Sequence, residues 1–139
     1  MSEQPWDLDE LDLPAYLRAV GVPSREPSLL ALAELHEAHV RTFPFENLDV
    51  LLRQHPGVSL TAVQEKFVGR GRGGYCFEHG TLFSAVLERS GYDVRRHLGR
   101  VGDATLAGRT HFVVEVVLDG RRLLCDPGFG MSLLQPIPL

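Results

Sequence analysis

At 139 residues, 44% hydrophobic and 23% charged, the chain has the size and composition of one ordinary globular domain. A net charge of −4 and a pI near 5.8 give no general attraction to nucleic acid, and no apolar run approaches the roughly 20 residues that a spanning helix needs. The N-terminus is acidic where a signal peptide is basic, so the chain is read as cytoplasmic; its two cysteines are too few for a disulfide scaffold or a thiolate zinc site.

Asp12 followed by Pro14, with Leu13, Leu17 and Val20 at helical spacing up to Gly21, predicts a short opening helix. From Ser28, the stretch SLLALAELHEAHVRTF sets Leu29, Leu32, Leu35, Val40 and Phe43 on one stripe and stops at Pro44, which lacks the amide a helix needs. After the turn-like QHPG at 54–57, SLTAVQEKFV predicts a third helix to about Val68, with Ser59 and Thr61 as cap candidates and Gln64 as a capping-box partner of Thr61. Next comes RGRGGYCFEHG at 70–80, with four glycines, two arginines and Cys76. The apolar spacing of Phe77, Leu82, Phe83, Val86 and Leu87 then predicts a fourth helix ending at Gly91, with Cys76 at its mouth.

Beyond Gly91 the hydrophobic period falls to two, in YDVRRHLGRV and HFVVEVVL, and Asp119-Gly120 separates the latter from RRLLCDPGFG. The expected fold class is α+β: a helical bundle over 1–91 followed by an antiparallel, partial β-barrel over 92–139. If Asp119 and Gly120 form a type I′ turn, Leu118 faces Arg121, His111 lies opposite Gly128, and Asp126 is diagonal to His111. A diagonal separation somewhat under about 7 to 8 Å lets a carboxylate reach an imidazole nitrogen. His111, Val113, Asp126 and Gly128 then share one face, and Phe112, Val114, Val116, Leu123 and Cys125 take the other.

A cysteine attacks as the thiolate, a form that the free amides and macrodipole of a helix N-terminus favour. Gly73 and Gly74 let the backbone turn sharply and approach closely, presenting Cys76 with its amide open to an oxyanion. His111, oriented by Asp126, is the base that completes a Cys-His-Asp constellation. Each residue also has a structural reading: a free cysteine is ordinarily a small buried hydrophobe, and an Asp before Pro-Gly ordinarily a turn residue. His36 and His39 fall in a helix and His55 in a turn. His79 lies one turn after Cys76, but two ligands make a weak metal site, and no metal is expected. Arg70 and Arg72 belong to a loop that must hold one shape, with Glu46 or Glu78 as candidate partners.

Five blocks carry further information in their order and spacing: PFENLD at 44–49, RGGYCFEH at 72–79, GRV at 99–101 in a strand, THFVVEV at 110–116 and DPGFG at 126–130. In these blocks the chain resembles the arylamine N-acetyltransferases, and RGG followed by an aromatic residue and Cys is the most specific. The resemblance implies a papain-like arrangement and ping-pong acetyl transfer. Acetyl-coenzyme A, a co-substrate with no resident cofactor beside it, would acylate Cys76, and an arylamine, arylhydroxylamine or hydrazine would take the acetyl group. By motif, Cys76, His111 and Asp126 match the family's triad. Phe45, Val101 and Phe129 would border the acceptor, and the amides of Cys76 and Thr110 would hold the oxyanion. Arg72, Gly73, Gly74 and Glu46 would shape the loop.

Two departures from the family pattern stand out: Gly80-Thr81 where Asn-Gly is usual, and Pro127 where a small aliphatic is common. The family continues into a third, lid-like domain that closes the acceptor cleft and contributes to coenzyme A binding. That domain is expected to be absent here, with donor affinity and protection of the thioester impaired, since the apolar ending LLQPIPL reads as a cut inside a larger fold. Two other functions fit the same residues. One is the amide formation of the family's macrolactam-forming relatives, and the other a non-catalytic binding remnant that self-associates through the edges of its unfinished barrel.

Overall fold

The computed structural model describes residues 6–103, 105, 108–130 and 133–139. Three of its helices begin where short polar side chains can receive a free amide. Asp12 Oδ1 accepts from the Ala15 amide at 3.0 Å to start α1, Leu13–Val20, which ends on Gly21 at φ 77°. Ser28 Oγ accepts from the Ala31 amide to start α2, Leu29–Thr42, and Ser59 Oγ from the Ala62 amide to start α4, Leu60–Gln64. Gln64 does not close the expected capping box: its side chain accepts from the Asp12 amide and donates to the Glu10 carbonyl, tying α4 to the segment before α1. The third helix does reach the Val68 region, but as a π-helical turn over Glu65–Gly69. A 3-10 turn at Leu8–Glu10 and a one-turn α3 at Leu48–Leu51 were not foreseen, each being too short to show a periodicity.

The buried side of α2 differs from the expected stripe. Leu29 is 44% exposed, and the inward face runs through Leu32, Leu35, His36 and His39. The two imidazoles can be buried because each finds a hydrogen-bond partner. At the centre lies α5, Cys76–Arg89, ten of whose fourteen residues are buried, so it is a core helix with little amphipathic character. Leu82, Phe83, Val86 and Leu87 pack there with Leu32, Val63 and Phe67 on the helical side and Phe112, Val114 and Val116 on the sheet side. Gly80 leaves room for the Phe112 ring, which any Cβ at that position would overlap.

Among the described residues the sheet is a four-stranded antiparallel meander in the order β1-β2-β3-β4, spanning Asp93–Arg100, Arg109–Leu118, Arg121–Cys125 and Ile137–Pro138, and it is not closed into a barrel. Val101, expected within a strand, lies just past the end of β1. Leu118 pairs with Arg121 across Asp119 and Gly120, whose φ values of 51° and 76° are those of a type I′ turn. The β2–β3 ladder stops at Val114↔Cys125, so the expected pairing of His111 with Gly128 is not made. Pro127 has no amide to extend the ladder, and Gly128 instead packs against α5.

On the side of β2 away from the core, the carboxylate of Glu115 is buried and hydrogen-bonded by Arg122 from β3 and by His97 from β1. The Arg122 and His97 hydrogen bonds hold its carboxyl down from 4.5 to about 2. A depressed folded-state value adds stability that is complete above pH 4.5 and lost as the pH falls through about 2. Thermal unfolding midpoints followed between those two pH values should fall less steeply for Glu115→Gln than for the unsubstituted chain. Parallel curves would remove this carboxylate from the acid response.

Candidate active site

The segment at 44–46 and the loop at 73–74 are zipped together. The Gly74 amide donates to the Pro44 carbonyl at 3.2 Å, and the Glu46 amide to the Gly74 carbonyl at 2.9 Å. A side chain on Gly73 would overlap the Pro44 carbonyl, and one on Gly74 the Glu78 carboxylate. Both glycines therefore serve close approach. The turn itself falls on Gly71, at φ 65°, where a Cβ would be strained.

Beneath the loop lies a buried charge cluster that the sequence did not announce. Lys66, fully buried in the π-helical turn, places Nζ 3.0 Å from Glu78, 3.1 Å from Asp49 and 3.6 Å from Glu46. Arg72 bridges two of the same carboxylates, donating to Asp49 at 3.0 Å and to Glu46 at 2.9 Å. Glu78, offered above as an arginine partner, pairs with Lys66 instead, and Arg70 is exposed. Burial lowers the Lys66 pKa, but its hydrogen bonds to Glu78 and Asp49 more than reverse this and leave it raised. The Arg72 hydrogen bond, then that of Lys66, holds the Asp49 carboxyl far below its ordinary range. The other Glu78 oxygen accepts from the Tyr75 amide at 3.2 Å and so caps the first turn of α5, where Cys76 is the first residue. An amide at that position has no partner within its own helix.

The β side supplies the imidazole. His111 Nε2 lies 2.9 and 2.8 Å from the two Asp126 oxygens, leaving Nδ1 as its other polar atom. The β1–β2 register shifts just before these residues: Gly99 pairs with His111 but Arg100 with Arg109, so Thr110 is an unpaired bulge. Its carbonyl faces the Cys76 thiol, with Sγ 3.7 Å away. Its amide donates to the Gly108 carbonyl at 3.1 Å, so that group, expected above as an oxyanion donor, is already engaged. Gly128 closes the junction. A Cβ there would lie 3.1 Å from the Cys76 Cα and 2.7 Å from the His79 Cβ, so only a glycine lets the Asp126 turn sit against α5.

These pieces surround an open cavity of about 360 Å³ lined by Phe45, Cys76, Val101, Thr110, His111 and Phe129, together with Gly128 and Gly130. The Phe129 ring meets His111 edge-on at 5.2 Å. The structure thus brings the expected nucleophile, base and aromatic wall to one place, with Asp126 behind His111, Gly73 and Gly74 in the loop, and the Arg72–Glu46 pair beneath it. His79 lies in the layer below: its ring is fully buried against Phe45 and Phe67.

Known proteins share this fold. A family model for N-acetyltransferases matches residues 28–139. The chain belongs to the arylamine N-acetyltransferase family. The arylamine N-acetyltransferase of Mycolicibacterium smegmatis is 43% identical to it over 139 residues, covering 93% of this chain and 50% of the relative. The arylamine N-acetyltransferase structure from Mycobacterium abscessus superposes with a TM-score of 0.93 at 42% identity, over 100% of this chain and 50% of that one. A Bacillus cereus arylamine N-acetyltransferase described as having a Cys-His-Glu catalytic triad superposes at 0.82 with 27% identity, over 92% of this chain and 53% of its own. The chain spans about half the length of the curated relatives it matches. Of the two departures from the arylamine N-acetyltransferase pattern, Gly80 has its counterpart in Phe112 and Pro127 in the early end of the β2–β3 ladder.

The cluster and the cavity each give a testable outcome. Lys66→Met leaves buried carboxylates without their ammonium and should cost about 3–5 kcal/mol of stability by denaturant titration. A loss within experimental error would show that the cluster is solvated. Iodoacetamide should label Cys76, in the cavity wall, and spare Cys125, which is fully buried and whose thiol burial pushes up to about 12. Peptide mapping that finds Cys125 labelled first would contradict that ranking.

Proposed function

We propose that this chain carries out acetyl transfer from acetyl-coenzyme A to an aromatic amine through an acetyl-Cys76 intermediate. The observation that carries this reading is the meeting of Cys76 and His111 on one cavity wall, with His111 Nε2 held by Asp126. Asp126 fixes the tautomer, so that Nε2 bears the hydrogen and Nδ1 faces the reaction with a lone pair. Nδ1 takes the Cys76 proton as Sγ attacks the acetyl carbonyl, and the Cys76 amide at the helix start receives the developing oxyanion. The carbon–sulfur bond to coenzyme A breaks, the departing thiolate takes the proton back from His111, and the acetyl group remains on Cys76.

The second half runs the same steps with an amine. The aromatic ring rests between Phe45, Val101 and Phe129, a flat apolar slot suited to an aryl group. As the amine nitrogen attacks the thioester, His111 accepts its proton and returns it to the leaving sulfur. The helical part to residue 91 presents the nucleophile in this scheme, and the β part from residue 92 presents its base and orienter. A carboxylate in the third position also fits the Cys-His-Glu triad described for the Bacillus cereus relative.

Intact-mass spectrometry after incubation with acetyl-coenzyme A or p-nitrophenyl acetate tests this directly. One acetyl adduct is expected on the unsubstituted chain and none on Cys76→Ala. Asp126→Asn should slow acylation by roughly four orders of magnitude, as loss of a triad orienter does elsewhere. An adduct that persists on Cys76→Ala, or an Asp126→Asn variant of equal rate, would sink the assignment.

A further inference from the structure

A line of buried polar groups runs through the helical part to the back of the cavity. Tyr16 Oη lies 2.8 Å from His39 Nδ1, His39 Nε2 lies 3.0 Å from His79 Nδ1, and His79 Nε2 lies 3.0 Å from the Pro44 carbonyl oxygen. Tyr16, His39 and His79 are each 0% exposed, so every proton in the line must be used within it. The carbonyl can only accept, and this fixes the rest. His79 donates from Nε2, its Nδ1 accepts from His39 Nε2–H, and His39 Nδ1 accepts from the Tyr16 hydroxyl. Adding a proton to His79 would reverse the line and leave the Tyr16 hydroxyl hydrogen buried without an acceptor. Burial, ahead of the opposing Pro44 hydrogen bond, accordingly holds the His79 pKa down to about 4. Burial and the neighbouring His79 and His36 rings lower that of His39 as well.

The line ends at Tyr16, deep in the core, so it has no exit for a proton and is not a conduit. Its open end, at Pro44, is where the site begins. The Pro44 carbonyl also receives the Gly74 amide, Phe45 stacks on the His79 ring at 6.3 Å and 8°, and Gly128 presses on the His79 Cβ. The nucleophile's helix, the aromatic wall and the turn after Asp126 therefore all meet at one residue, His79.

We infer that His79 is a positioning residue: as a neutral Nε2–H ring it holds the Pro44 carbonyl, and through it sets the Phe45 wall against Cys76. The inference rests on the acetyl-transfer reading only in taking Phe45 as the wall that meets an aryl group. Two variants separate the two ring nitrogens. His79→Gln brings an amide N–H to about the place of Nε2 and keeps the Pro44 bond; His79→Asn stops near Nδ1 and loses it.

The first measurement uses the unsubstituted chain: ring-nitrogen NMR at neutral pH, with both His79 and His39 expected as neutral Nε2–H tautomers. An Nδ1–H or charged His79 overturns the inference. The second is the ratio of Cys76 labelling rates with N-phenylmaleimide and N-ethylmaleimide, which reads the aromatic wall without turnover. His79→Gln should keep that ratio within about twofold, and His79→Asn should lower it by about tenfold, the scale of one lost aromatic contact. Equal ratios in both variants, in either direction, overturn it. Should His79→Asn fail to fold, the spectrum and the His79→Gln ratio decide alone. A chain that never forms an acetyl adduct yet shows the expected ratios removes the proposed activity and leaves the role of His79 standing; an adduct with unchanged ratios does the reverse.

Discussion

The ammonium of Lys66 is the point on which the geometry of the nucleophile depends. A buried cation is tolerated only where acceptors surround it, and here they come from Glu46 and Asp49 on one stretch of chain and from Glu78 on another. Glu78 spends one oxygen on that cation and the other on the Tyr75 amide. Charge pairing and the start of α5 are thus a single constraint, which puts Cys76 at the first position of the helix. Arg72 locks the outer side of the same cluster, so the glycine-rich loop is shaped from below by charge and from the side by its zipper to Pro44 and Glu46.

The β part meets this platform through two interruptions of regular pairing. The bulge at Thr110 turns a carbonyl toward Cys76 and brings His111 to the cavity wall, and the amide-free Pro127 releases Asp126 from the ladder beside His111. Gly128 then lets the released turn lie directly on α5. A perfectly regular hairpin would have paired His111 with Gly128 and held that turn away from the helix. Irregularities next to a site re-aim side chains, and both of these do so.

The depth of the arrangement matters as much as its surface. Most of the imidazoles are not at the cavity: His39 and His79 form a neutral, directional line in the core, and His36 Nδ1 donates to the Leu134 carbonyl. A low dielectric makes such a line worth most when every group is satisfied, and the carbonyl at its end is what dictates its direction. The family likeness at a TM-score of 0.93, over half the length of the matched structure, shows that this chain holds the same helical and sheet framework.

Local signals determined a good part of this protein from the sequence alone. Asp12, Ser28 and Ser59 mark helix starts because a cap acts within three residues, and Asp119-Gly120 fixes the hairpin register because both positions need positive φ. The placement of Cys76 at a helix mouth was legible for the same reason, since it follows from chain geometry over a few residues. Asp126 was expected beside His111 from a regular pairing that in fact stops at Val114 and Cys125; the two side chains meet, but through the turn after the ladder. Glu46 was offered as a partner of Arg72 and binds it, whereas the Lys66 cluster, the π-helical turn, the bulge at Thr110, the second partner of Arg72, Asp49, and the line from Tyr16 to Pro44 were decided only in three dimensions. They join residues far apart in the chain, where burial turns an ordinary charge or imidazole into one that must find a partner, and no spacing or periodicity records which partner it will be.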